Sequence, residues 1–280
     1  MMPVPMSDSA ATRTYVLGHS EAELARLERQ AEIFAEPTED VLRRAGISPG
    51  MRILDIGCGA GDVSMIAARL VGSSGEVVGI DRAGEALESA RRRAAGAGYD
   101  WLRFEAADLH AFRSDRPFDA VIGRFILMYL TDAPGSIREL IGRLKPGGIV
   151  AFIEMDVNSA GAEPGMPLLD QCVAWITGTY RKVGIEPNMG SRLYATMRAA
   201  NLEPSLVGSC RIEGGADAVG YEFAAQTLRS LLPWMTQFGI AGAEEVGVDT
   251  MAERLRSAAL TGGNCIFLPR IVGAWARIGP

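Results

Sequence analysis

The chain is poor in the residues that build metal sites and disulfides. Its 280 residues include four cysteines, Cys58, Cys172, Cys210 and Cys265, and two histidines, His19 and His110. No two cysteines stand at CxxC spacing, so neither a structural zinc site nor another metal is expected. Few, scattered cysteines suit a reducing compartment. Long apolar runs are also missing. The richest stretch, residues 120–130, contains Arg124 and falls short of the roughly 18 apolar residues that a membrane span needs. Residues 1–14 show no basic segment followed by an apolar one, so no secretory leader is expected and the cytoplasm is the expected location. Positive charge is scarce as well. The net charge is −6, whereas a nucleic-acid-binding protein needs a basic surplus or stripe. The densest basic run, Arg91-Arg92-Arg93, is flanked by Glu85, Glu88 and alanines, and reads as a solvated helix face. Neither nucleic acid nor membrane is an expected partner, and a monomer or homodimer is.

What is present is ordinary globular material: 48% hydrophobic and 22% charged residues. That supports a sizeable core, in one large α/β domain carrying a smaller cap. After a loose tail over residues 1–13, Ser20 and Glu23 form a capping box at the start of a helix. Pro37 is expected to end that helix, with a second helix over 38–45 stopped by Gly46. Short apolar strands then alternate with helices. Strands are expected over 52–56, 75–81, 102–106, 118–123 and 148–155, with helices over 63–70, 86–97 and 133–144. Such alternation implies crossover units and a mainly parallel sheet covered on both faces. Beyond residue 156 the pattern changes. Residues 166–200 and 217–260 read as helical, the latter broken by Pro233 and by 239–242, and both are taken as a cap over the sheet. Residues 205–213 read as one strand, and 265–278 as the strand-rich end of the chain. The expected divisions are residues 1–50, a tail and helices over the cofactor site; 51–156, the binding core; and 157–280, the cap with the last two strands.

The loop after the first strand reads Asp55-Ile56-Gly57-Cys58-Gly59-Ala60-Gly61. Ligands on open parallel sheets bind beyond the carboxyl ends of the strands, and glycines let a ligand approach the backbone closely. A dinucleotide fingerprint wants a third glycine where Asp62 stands, which weakens a nicotinamide dehydrogenase. Asp55 and Asp62 flank the loop with negative charge and favour a cationic ligand without phosphate. Asp81, ending the second strand, can take a ribose diol, and Asp108, after the third, an adenine amino group. A ligand with adenosine, a positive centre and no phosphate is S-adenosylmethionine.

These residues carry a resemblance. The run from Ile53 to Gly61 resembles the first motif of class I methyltransferases, Gly79-Ile80-Asp81 their ribose-binding strand end, Ala107-Asp108 their adenine-binding step, and Leu144-Lys145-Pro146-Gly147-Gly148 the turn before their fifth strand. The resemblance runs from about residue 50 to 156. It implies a Rossmann-like, seven-stranded, mostly parallel sheet with helices on both faces, its last strand antiparallel and supplied by 265–278. It implies S-adenosylmethionine as cofactor, held by Asp55, Gly57, Cys58, Gly59, Asp81 with Arg82, and Asp108 with Leu109. The N-terminal segment, Tyr15 to Ser20 with Arg26, Leu27 and Gln30, is similar to bacterial small-molecule methyltransferases, in which a leading helix covers the cofactor. There Tyr15 can reach the cofactor carboxylate, or else packs as a staple on the helix. Arg124 can pair with that carboxylate or an acidic substrate, or lie in a surface ion pair.

Methyl transfer from a sulfonium depends mainly on holding the acceptor at attack distance, and needs a base only where the acceptor's proton is tightly held. Candidate proton acceptors are Glu154, His19 and His110, with Asp156 beside Glu154. For Glu154 the alternative is a hydrogen bond or ion pair holding the cap. Trp175, Tyr180, Tyr194, Trp234, Met166, Met189, Met197 and Met235 populate the cap as core or as the walls of an apolar acceptor pocket. The expected activity is therefore methylation of a small, fairly apolar molecule in secondary metabolism. The alternative is a methyltransferase fold that binds the cofactor but catalyses another reaction or serves as a binding module. The acidic balance speaks against an RNA methyltransferase. Gly123-Arg124-Phe125-Ile126 stands where amino-group methylators of bases and glutamines carry an Asn-Pro-Pro-Tyr-type motif.

Overall fold

The computed structural model describes residues 21–279, with side chains from Gln30 onward. In chain order the elements are α1 (Glu21–Ala45), β1 (Arg52–Ile56), α2 (Asp62–Val71), β2 (Glu76–Asp81), α3 (Gly84–Gly96), β3 (Leu102–Ala106), β4 (Phe118–Arg124), α4 (Ala133–Ile141) and β5 (Leu144–Asp156). There follow β6 (Gly161–Glu163), α5 (Pro167–Lys182), α6 (Met189–Ala199), β7 (Ser205–Ser209), β8 (Ile212–Gly214), α7 (Gly220–Gln237), α8 (Ala243–Val246), α9 (Val248–Gly262), β9 (Cys265–Phe267) and β10 (Arg270–Arg277).

Successive strand residues point to opposite faces, and here both faces are dry. Ile53, Val77, Ala120, Ile122 and Ile149 feed a core shared with α2 and α3. Their neighbours Leu54, Val78, Val121, Val150 and Phe152 feed a second core on the other side. The main sheet has seven strands in the order β3-β2-β1-β4-β5-β10-β7. The first five run parallel, and β10 is antiparallel to both its neighbours. Strand order reverses between β1 and β4, which opens a crevice at their carboxyl ends. A three-stranded antiparallel sheet, β6-β9-β8, lies apart from the main one.

Five expectations change. Pro37 does not end the first helix; α1 runs through it to Ala45. Proline removes one backbone donor and strains the preceding turn, at a cost of about 3 kcal/mol. The stripe of Phe34, Val41, Leu42 and Ala45, all buried, holds the helix together across it. Pro233 likewise lies inside α7, between buried Leu231 and Met235. The single strand expected over 205–213 divides at Cys210-Arg211 into β7 and β8, which serve different sheets, and 265–278 divides at Leu268-Pro269 in the same way. Finally, α6 packs on β5 and β10 and so covers the main sheet, while α5, α7 and α9 pack on one another as the cap. Ser20, the expected helix cap, lies outside the described residues.

Candidate cofactor and acceptor site

The glycine loop leaves β1 at the reversal of strand order. The Cys58 N–H donates to the Ile80 carbonyl at 3.0 Å, which fastens the loop to β2, and the Gly61 N–H closes the turn on the Cys58 carbonyl at 2.9 Å. Gly59 and Gly61 have φ of 52° and 84°, the left-handed region that glycine enters freely. A Cβ at Gly61 would stand 2.7 Å from Phe104 and 3.0 Å from Ala90, so this glycine lets α2 begin against β3 and α3. A Cβ at Gly59 would meet nothing within 4 Å among the described residues. The space over Gly59 is therefore open to a ligand, a cradle at the end of β1. The Gly59 N–H donates to Asp81 Oδ2 and the Ala83 N–H to Asp81 Oδ1, both at 2.9 Å. These bonds fix the carboxylate and leave each oxygen a lone pair for a diol.

The charges around the loop are arranged differently from the sequence expectation. Asp62 is paired with Arg93 Nη2 at 2.6 Å, and Arg93 Nη1 also donates to the Ala60 carbonyl at 2.8 Å. Asp55 is 1% exposed. Its Oδ2 accepts from the Ser64 hydroxyl at 2.5 Å, and its Oδ1 has no partner among the described residues. Burial pushes the Asp55 carboxyl up to about 7, against the pull of Ser64 and Arg124. Asp62 is thus neutralised by its partner and Asp55 is sealed in the core, so the accessible acceptor is Asp81. Burial also pushes the Cys58 thiol well above its usual value, so this side chain is core packing and not a nucleophile.

Asp108 follows β3. Its Oδ1 accepts from the His110 N–H at 2.8 Å, and Arg82 Nη1 stands 3.7 Å from its Oδ2. Leu109 packs partly buried against the core, its carbonyl held by Arg143 at 2.5 Å. The His110 ring is bonded through Nδ1 to Glu139 on α4 at 2.5 Å.

Arg124 ends β4. Its Nη1 donates to Thr38 Oγ1 at 2.9 Å, and among the described residues this is its hydrogen bond. Burial lowers its pKa, opposed by Asp62 and Asp55. Phe125 follows at φ 55°, a conformation that costs a β-carbon residue about 1–2 kcal/mol and persists where surrounding structure demands it. Glu154, on β5, is fully enclosed. Its Oε1 accepts from the Ile126 N–H at 3.0 Å and the Leu127 N–H at 2.7 Å, while Oε2 has no partner among the described residues. Asp156 is saturated: Ser191 N–H at 2.6 Å, the Ser191 hydroxyl, and Arg270 Nη2 at 2.8 Å. It ties α6 to β10.

Between α5, α7, the end of β5 and the 266–269 segment lies a pocket that opens partly to solvent. Met155, Leu169, Ile176, Phe223, Ala224 and Leu268 give its apolar walls, and no charged side chain among the described residues lines it. Of the cap residues singled out in the sequence, Tyr180 lines the pocket, Trp175, Met166, Met189, Met197 and Met235 are core, and Tyr194 is exposed. Phe223 stands edge-on to Phe34 at 5.7 Å, and Phe34 edge-on to Phe125 at 5.6 Å. An aromatic run thus joins the pocket wall to the end of β4.

Sequence reasoning missed Arg93 and Ile126. Arg93 was read as part of a solvated face; it instead locks the glycine loop, and Arg91 Nη2 donates to the Phe104 carbonyl at 3.0 Å. The signal was readable, since Arg93 follows buried Ala86 and Ala90 at helical spacing and precedes buried Ala94. Ile126 sits against Gly57 and Gly123, a contact no local pattern announces. Tyr15 and His19 lie outside the described residues. No cluster of metal-ligating side chains occurs among the described residues, and none of their helices is long and apolar enough to cross a membrane.

Residues 47–194, more than half of the chain, match a family described as a methyltransferase domain. The chain is 39% identical over 127 residues to a 2-phytyl-1,4-naphthoquinone methyltransferase of Synechococcus elongatus, covering 44% of this chain and 51% of that protein. It is 32% identical over 194 residues to the enzyme of the same name from Synechocystis, covering 65% and 76%. The chain thus spans about half the length of the first of these relatives. Among solved structures, YcgJ of Bacillus subtilis superposes with a TM-score of 0.57 at 18% identity, over 88% of this chain and 99% of that one, a likeness of fold. The open cradle at Gly59 and the spare lone pairs of Asp81 fit the cofactor of that family. With this sheet, this loop and these relatives, the chain belongs to the class I S-adenosylmethionine-dependent methyltransferases.

Proposed function

We propose that the protein transfers a methyl group from S-adenosylmethionine to a small, apolar, quinone-like or polyketide-like acceptor of secondary metabolism. The observation that carries this reading is the pocket beside the carboxyl end of β5, apolar in its described lining and joined by Phe223, Phe34 and Phe125 to the end of β4. A relative that acts on a phytylated naphthoquinone supports the same acceptor class. In this reading Asp81 holds the ribose hydroxyls, with Arg82 beside it. Asp108 and Leu109 frame the adenine, and the Gly57-Cys58-Gly59 backbone accommodates the methionine portion above Asp55. Arg124, with Tyr15 of the leading segment, holds the carboxylate. When bound, S-adenosylmethionine supplies an electrophilic methyl on a positively charged sulfur.

The chain contributes position and dryness. Apolar walls exclude water, and confinement of the acceptor supplies effective concentration. A base is needed only where the acceptor's proton is tightly held, and an acidic quinol requires none. Of the candidate proton acceptors, His110 is engaged by Glu139 and His19 belongs to the leading segment. The reading also takes the enzyme to work in the cytoplasm, as a monomer or homodimer and without nucleic acid; the net charge of −6 and four unpaired cysteines support it.

The test is incubation with methyl-labelled S-adenosylmethionine and a panel of reduced naphthoquinones and aromatic polyketides. S-adenosylhomocysteine and methylated acceptor should form in equal amounts. Conversion of an acceptor without S-adenosylhomocysteine, or activity confined to charged acceptors, would defeat the reading.

A further inference from the structure

Glu154 is an acid in the middle of a core. Burying an ionisable group is costly unless it satisfies something that would otherwise be unpaired. Ile126 and Leu127 open a short helical turn over Leu127–Tyr129, and the first donors of such a turn have no acceptor within it. Glu154 Oε1 takes both, at 3.0 and 2.7 Å. The consequence lies in the Ile126 side chain. A Cβ at Gly57 would stand 2.6 Å from Ile126 Cδ1, and one at Gly123 2.8 Å from Ile126 Cγ2. Ile126 thus fills the space that two missing side chains leave, one in the glycine loop and one on β4. Its placement fixes how far the Gly57 backbone can shift.

Two features separate Glu154 from an acid–base role. Met155 lines the acceptor pocket and Glu154 does not, as strand alternation requires. Oε2 is sealed without a hydrogen-bond partner among the described residues, so no relay leads a proton from it to solvent. Burial also pushes its pKa up to about 8, against the pull of the Leu127, Ile126 and Met128 backbone, so near neutrality the side chain is chiefly a neutral acid.

We propose that Glu154 is a positioning residue, which sets the cofactor loop by holding Ile126 against Gly57 through two backbone hydrogen bonds. The proposal rests on the reading of the loop as a cofactor site, and needs no known acceptor for its test. It makes acceptor geometry, not charge, the property that matters.

The experiment is calorimetric titration of S-adenosylhomocysteine into the full chain and three variants. Glu154→Gln keeps an oxygen for both donors and should bind within about threefold of wild type. Glu154→Leu leaves both donors unpaired and should bind at least about tenfold more weakly. Ile126→Ala removes the wedge but not the acid and should weaken binding to a similar degree, which decides the matter if Glu154→Leu does not fold. Wild-type affinity in Ile126→Ala or in folded Glu154→Leu overturns the proposal, as does Glu154→Gln binding as weakly as the other two. If the wild type itself binds no S-adenosylhomocysteine, the cofactor-site reading has failed instead. Once an acceptor is known, Glu154→Gln should retain kcat while Glu154→Leu raises KM for the cofactor. A base would lose kcat by about a hundredfold or more in Glu154→Gln.

Discussion

Gly59 and Gly61 are two residues apart and have different reasons to be glycine. At Gly59 only φ and the ligand space matter; at Gly61 the protein itself fills the room that a Cβ needs. Gly59→Ala should therefore fold, losing about 1–2 kcal/mol to the left-handed conformation, yet no longer bind S-adenosylhomocysteine. Gly61→Ala should lose clearly more stability, because Phe104 and Ala90 must move. Thermal melts with and without S-adenosylhomocysteine distinguish the two; equal melting temperatures for both variants would show that the division is wrong. This part of the site was legible because the need for positive φ is local to the loop. Arg93 and Ile126 were not read from the sequence. Each acts across a tertiary contact, Arg93 from α3 and Ile126 from the turn after β4. The flanking acids do not by themselves select a cationic ligand, since Arg93 neutralises Asp62 and burial leaves Asp55 only partly ionised near pH 7.

At the scale of elements, sequence pattern and structure agree where periodicity is strong and part company where tertiary packing outweighs a local breaker. The strands from β1 to β4 lie where their apolar runs place them, within a residue. Pro37 and Pro233 misled because both sit within stripes whose burial exceeds the cost of one lost helical bond. The two divided strands were hidden for the opposite reason: β7 with β8, and β9 with β10, are separated by residues too few to look like a break. α1 is held across Pro37 by Thr38, whose hydroxyl donates to the Phe34 carbonyl at 2.5 Å and accepts from Arg124 at 2.9 Å. Thr38→Val removes both while keeping shape. It should cost about 1–2 kcal/mol in denaturant unfolding, because it removes two hydrogen bonds and leaves a partly buried arginine nitrogen without this acceptor. It should also weaken S-adenosylhomocysteine binding by releasing the Arg124 side chain. An unchanged midpoint and affinity would show that α1 does not hold Arg124.

For the whole molecule, the two sealed acids make stability depend on pH. The folded state raises Asp55 from 3.8 to about 7 and Glu154 from 4.5 to about 8. Between those limits the native chain keeps protons that the unfolded chain has released, so stability is lost as pH rises. Asp55 is acted on by Ser64, Arg124, Asp81 and Asp62, and Glu154 by backbone donors alone. The melting temperature of the free protein should accordingly fall from about pH 4 to about pH 8. Glu154→Gln should flatten that fall and melt higher than wild type at the alkaline end. Parallel profiles would mean that Glu154 does not titrate in this range.

The central claim is that the cradle between Gly59 and Asp81 binds the adenosyl cofactor, and it is tested most directly by calorimetric titration of S-adenosylhomocysteine into wild type and Asp81→Ala. Saturable binding at one site per chain is expected for the wild type, with affinity reduced at least about tenfold in the variant, since removing the carboxylate deletes the diol's acceptors. No binding by folded wild type, or equal affinity in the two proteins, would contradict it.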